Sequence, residues 1–111
     1  MGLDVVLYRA LPAGNRRVSY VPVRVVPDND DTLLGLLDRI RGAGRTPLLD
    51  RLDPVGDQAF DARSVPTLLE ELRFLANVAG TEVEAARVRS VVALARRCLR
   101  EPGTEIRFEG D

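Results

Sequence analysis

The sequence predicts an α+β domain: a small, mainly antiparallel sheet, formed by an N-terminal hairpin and a C-terminal strand, packed against about three helices in the order β-β-α-(β)-α-α-β. Alternating stretches flank a Pro/Gly-rich connector near the N-terminus, apolar stripes with helical spacing fill the middle, and one alternating stretch closes the chain. At 111 residues the chain fits a single domain, 1–111, with one core.

Residues 3 to 9, LDVVLYR, set Leu3, Val5 and Leu7 on one side. In RVSYVPVRVV, 17 to 26, Val21, Val23 and Val25 oppose Tyr20, Pro22 and Arg24. The connector ALPAGNR predicts an antiparallel hairpin. Pro22 cannot donate to a ladder, so the second strand should lie at an edge or carry a bulge there. The next stretch, PDNDDTLLGLLDRIRGAG, predicts a helix opened by Asp28, Asp30 and Asp31, with Leu33, Leu34, Leu36, Leu37 and Ile40 as its buried stripe. A short extra strand is expected near Pro47 to Leu52. Ser64 is the expected N-cap of a second helix, with Pro66 in its first turn and Val65, Leu68, Leu69, Leu72, Leu75, Ala76 and Ala79 repeating at helical spacing. Thr81 and Glu84 make a capping box for a third, whose apolar face is Val88, Val91, Val92, Ala95 and Leu99, with Cys98 beside them. The second and third helices should pair antiparallel. Pro102 and Gly103 stop the third, and TEIRFEGD alternates Thr104, Ile106 and Phe108 against Glu105, Arg107 and Glu109.

Composition narrows the chemistry. The chain is 45% hydrophobic and 30% charged, an ordinary soluble balance, and no apolar run is long enough for a membrane span. The N-terminal run holds Asp4 and follows no basic segment, so it reads as a strand and not a secretion signal, and a cytoplasmic location is expected. There is no histidine, and all sixteen basic residues are arginine, a bias that a GC-rich coding sequence explains. Ser/His and Cys/His dyads, imidazole ligands, lysine Schiff bases and P-loops are therefore excluded. Cys98 is the one cysteine, which removes disulfides and cysteine-pair metal motifs and reads as a buried apolar residue. A net charge of −1 argues against nucleic acid as a partner.

The segment LLDRLDPVGDQAFDARS, 48 to 64, carries Asp50, Asp53, Asp57 and Asp61. Their spacing of three, four and four, interrupted by Pro54, does not fit a calcium loop. Asp53-Pro54 begins a turn, Gly56 supplies freedom for positive φ, and Asp57 can bond its own downstream backbone. Arg89, Arg96 and Arg100 form a stripe on the third helix, flanked by Arg87 and Arg97; a solvated face accounts for it, and an acidic protein surface is the functional alternative. Adjacent Glu70 and Glu71 point about 100° apart and are explained by the helix dipole.

LLDRLDPVGD, LLEEL and the closing IRFEGD together resemble a group of small bacterial proteins that share an Asp-Pro-x-Gly-Asp turn, a Leu-x-x-Glu-Leu helix and a final Phe-x-Gly-Asp. The resemblance covers residues 48 to 111 and implies an immunity-like partner of a secreted toxin, with no catalytic residues to carry over. Here Val55 stands after the proline, a place often aromatic in that group.

The expected function is thus a non-enzymatic module that binds another protein, as an immunity or regulatory partner, with Asp53, Asp57, Asp61, Arg89, Arg96 and Arg100 as interaction residues. No cofactor, metal, nucleic acid or membrane is expected. One alternative is a carboxylate- or metal-dependent hydrolase using the Asp50 to Asp61 segment with Asp111. The other is a homodimer paired through the Pro22 edge.

Overall fold

A computed structural model describes residues 2–110. The chain runs β1 (Leu3–Pro12), β2 (Val18–Val26), α1 (Thr32–Ile40), a 3-10 turn (Leu49–Arg51), β3 (Asp57–Phe60), α2 (Val65–Val78), α3 (Glu82–Arg100) and β4 (Thr104–Gly110). The sheet is antiparallel throughout, in the order β2-β1-β4-β3. This is the α+β architecture expected, with hairpin and C-terminal strand adjacent. The fourth strand lies later than expected: Pro47 to Leu52 coils into the 3-10 turn, and Asp57–Phe60 pairs with β4.

One layer of helices covers one face of the sheet. Leu3, Val5 and Leu7 of β1, Ile106 and Phe108 of β4 and Phe60 of β3 project into a core shared with all three helices. Phe60 and Phe108 meet edge to face, with ring centres 5.7 Å apart. Helix α3 lies along β1, β2 and β4, and α2 folds back on it as the expected pair. The buried arc of α3 is Val88, Val91, Leu94, Ala95 and Cys98. Leu99, expected on that arc, is 44% exposed, and Ala76 of α2 is likewise exposed. At about 100° per residue, the arc centres between Val91 and Cys98, which puts Leu99 at its margin and Leu94 inside.

Pro22 marks an edge strand and a bulge together. The register slips between Leu7 and Tyr8, whose partners are Arg24 and Pro22, leaving Val23 as the extra residue. The slip reverses the expected alternation: Val21, Val23 and Val25 do not share one face. Val26 turns toward the core with Val23, while Val25 faces outward and is 48% exposed.

One buried carboxylate, Asp28, ties the layers. Asp28 accepts N–H bonds from Leu33 (2.8 Å) and Leu34 (3.1 Å) in the first turn of α1, and from Leu3 (3.1 Å) at the start of β1. The acidic cluster therefore caps α1, through Asp28 and through Asp30, which accepts from the Thr32 N–H. Asp31, in the cap position itself, sits at φ 57° and contributes no side-chain bond. The capping box of α3 forms as expected between Thr81 and Glu84.

Candidate functional site

The four aspartates of residues 48 to 64 do not converge. Asp50 accepts the Thr46 hydroxyl (2.9 Å). Asp53 closes the turn, accepting the Val55 N–H on its carboxylate (3.0 Å) and the Gly56 N–H on its carbonyl (3.1 Å). Gly56 does not adopt positive φ; its value is that a side chain there would crowd the Asp53 carboxylate, 3.1 Å from a Cβ. Asp57 opens β3 and makes no turn bond among the described residues. Asp61, and not Ser64, caps α2: its carboxylate accepts the N–H groups of Arg63 (3.0 Å) and Ser64 (3.4 Å), whereas the Ser64 side chain makes no cap bond. The Arg63 side chain, its N–H and that of Ser64 hold the Asp61 carboxyl below its ordinary range. Asp57 and Asp61 stand at opposite ends of an extended strand, about 13 Å apart at strand rise. Among the described residues no group of three or more Asp, Glu or Cys side chains is placed to hold a metal ion. Asp111 lies outside the described residues.

Three short motifs interlock instead. The Glu71 carboxylate, only 4% exposed, accepts the N–H groups of Leu48 (3.0 Å) and Leu49 (2.9 Å), so the LLEEL helix caps the 3-10 turn of LLDRL. The helix dipole alone does not explain this residue. Its signal in the sequence is position: Glu71 lies three residues after Leu68 and four before Leu75, on the apolar stripe. The DPVGD turn rests on the end of β4, where the Gly110 N–H donates to the Gly56 carbonyl at 2.8 Å. A Cβ at Gly110 would stand 2.2 Å from the Pro54 carbonyl oxygen.

The arginines of α3 divide between two settings. Arg89 pairs with Glu82, and Arg96 and Arg100 are exposed, so the expected stripe is a solvated face. One side of it opens into a groove of about 530 Å³ between α3 and the β2 edge. Every charged side chain lining the groove is an arginine: Arg24, Arg87, Arg97 and Arg100. Arg87 pairs with Asp28 (2.5 Å) and Asp30 (3.1 Å). Thr32, through its side chain and N–H, and Arg87 hold the Asp30 carboxyl down to about 2. Arg97 shares Glu101 with Arg9, and these two guanidinium groups lower the Glu101 carboxyl. Arg24 and Arg100 have no carboxylate partner among the described residues.

The second exposed feature is the sheet face turned away from the helices. Tyr8, Tyr20, Val25 and Arg107 meet there, drawn from β1, β2 and β4 by the sheet order. The Arg107 guanidinium lies 4.3 Å from the ring centre of Tyr8 and 4.7 Å from that of Tyr20. Its Nε donates to Glu105 (2.5 Å), an ion pair that raises the arginine further. The Tyr8 hydroxyl donates to Glu109 (2.6 Å), and this bond, burial and the Glu109 charge push the phenol up. Val6 is 3% exposed yet stands apart from the core, on this outer face between Val25 and Arg107 in register. Asp57 lies on the same face opposite Glu109; it is the one expected interaction aspartate that the fold presents here. The sequence signals this face only as the polar half of an alternation.

Cys98 is buried, and burial pushes its thiol up from the ordinary value. No helix among the described residues is long and apolar enough to cross a membrane. No family model, curated protein or solved structure matches the chain.

Proposed function

We propose that this chain is a non-catalytic module that binds another protein, as an immunity or regulatory partner, through the uncovered face of its sheet. The observation that carries the reading is the cluster of Tyr8, Tyr20 and Arg107 beside exposed Val25 and Val18. Tyrosine and arginine supply most of the strong anchors of protein interfaces, and here they are held rigid by mutual stacking before any partner arrives. The surrounding Glu105, Glu109 and Asp57 give the face a polar rim. Pro22, the bulge at Val23 and Arg24 interrupt the β2 edge, which favours docking on the face over pairing of two copies along that edge.

The test is affinity capture from the native lysate, with the chain and its Tyr20→Ser/Val25→Asp variant as parallel baits and thermal melts confirming that both fold. The expected result is a protein retained by the unmodified bait and reduced roughly tenfold on the variant, as loss of an interface anchor requires. Recovery of nothing specific, or equal retention by both baits, refutes the reading.

A further inference from the structure

We propose that the groove between α3 and β2 is a binding site for a small organic dianion with an apolar body, a site independent of the sheet face. The first argument is charge. Arg87 is matched by Asp28 and Asp30, and Arg97 is matched by Glu101. What is left over is Arg24 and Arg100, two guanidinium groups on opposite walls of one groove with no carboxylate among its lining residues. A dianion balances them, whereas a monoanion leaves one positive charge unmatched.

Shape and polarity agree. About 530 Å³ falls within the range of small-molecule sites and is larger than a bare inorganic ion fills. The groove also has two ends. Arg87 is anchored to Asp28, one residue past Pro27, and Arg97 to Glu101, next to Arg100, so Arg100 lies toward the Glu101 end, with Arg24 on the facing strand. Val26 and Pro27 offer apolar surface toward the other end. A ligand thus places its charged group between Arg24, Arg97 and Arg100 and its apolar body along Val26 and Pro27. Guanidinium forks match a phosphate monoester and paired carboxylates alike, so the shared chemistry is two negative charges on a compact organic frame.

The experiment is an amide-resolved NMR titration of the full chain at constant ionic strength with phenyl phosphate, with phthalate and with the monoanion benzoate. Saturable shifts confined to residues 24–26 and 90–100 are expected from at least one dianion, and whichever dianion binds more tightly identifies phosphate or dicarboxylate as the natural charged group. Arg24→Gln/Arg100→Gln should weaken that binding roughly tenfold, and Arg89→Gln/Arg96→Gln, which removes the same charge from the neighbouring exposed face, less than about twofold. Equal weakening by the two variants reduces the effect to long-range charge and overturns the proposal. So does binding of benzoate as tight as that of the dianions, or the absence of saturable shifts. An aspartate-rich peptide that displaces the probe while binding roughly tenfold more tightly assigns the groove to a protein and also overturns it.

Discussion

Removing the Asp28 carboxylate is expected to separate the sheet from the helices. The residue is 1% exposed and bonds three N–H groups from two elements, besides the Arg87 guanidinium of a third. In Asp28→Ala the first turn of α1 loses its cap, at about 1 kcal/mol. The Leu3 N–H, left buried without an acceptor, adds about 2 kcal/mol. Arg87 keeps Asp30 at 3.1 Å, and its side chain remains 18% exposed. The lost half of that ion pair therefore adds only about 1 kcal/mol. The total of about 4 kcal/mol is a large part of the stability of an ordinary domain. With a urea m-value of about 1.5 kcal/mol per molar, the unfolding midpoint falls by about 2.5 M. Asp28→Asn keeps the shape and one acceptor oxygen, so it should recover about half of the loss. The assay is urea unfolding followed by far-UV circular dichroism. A midpoint lowered by less than about 0.5 M in Asp28→Ala would refute the argument that one buried carboxylate joins the three elements.

Gly110→Ala should destabilise by about 2 kcal/mol or more, because the new Cβ meets the Pro54 carbonyl. Gly35→Ala, in open space on α1, should stabilise by up to about 1 kcal/mol, and equal effects of the two in the same urea series would contradict the packing of the turn on β4. Cys98 should react with an aromatic disulfide reagent only as fast as the protein opens, since burial both covers the thiol and raises it; stoichiometric labelling of the native chain within minutes would count against this. Asp30, Asp61, Glu84 and Glu101 all have carboxyls held below their ordinary values, so their contribution is present above the unfolded-state values and lost as pH falls through the folded ones. The melting temperature should therefore decline as pH drops from about 4.5 toward 2 and, with no histidine, stay level between about pH 6 and 7.5. A marked slope across that neutral interval in calorimetry would contradict the assignment.

Elements whose apolar spacing stays regular are legible in the sequence. Thr104, Ile106 and Phe108 are buried as their alternation requires, and the capping box of α3 forms from Thr81 and Glu84 as read. Legibility fails where one residue changes phase or a partner lies far away. The bulge at Val23 reverses the later half of β2, and a bulge leaves no signature beyond Pro22 itself. Strand β3, DQAF, buries only Phe60 and is defined by pairing with a strand that begins more than forty residues later, so no local pattern announces it. Asp28 sits among polar neighbours and Glu71 beside Glu70, so both read as ordinary helix-end charges. Their roles depend on N–H groups 25 and 23 residues away along the chain. Of the expected interaction residues, Asp53 and Asp61 are engaged in turns and caps, and only Asp57 and Arg100 stand at the open face and the groove.

That outcome changes where function should be sought. LLDRLDPVGD meets each of the other two motifs: the Leu48 and Leu49 N–H groups donate to Glu71 of LLEEL, and Gly56 and Pro54 meet Gly110 at the FEG end. Residues that complete one another's backbone bonds are coupled by folding, and their occurrence together needs no shared ligand. Tyr20, Val25, Arg24 and Arg100 are different in kind: all are exposed, and neither Arg24 nor Arg100 forms an ion pair among the described residues. Substituting them should cost little stability, because exposed side chains outside caps and cores change it by about 0.5 kcal/mol or less. Loss of binding on their substitution therefore reports on recognition, whereas loss of binding on substitution of Asp53, Asp61 or Glu71 reports first on the fold.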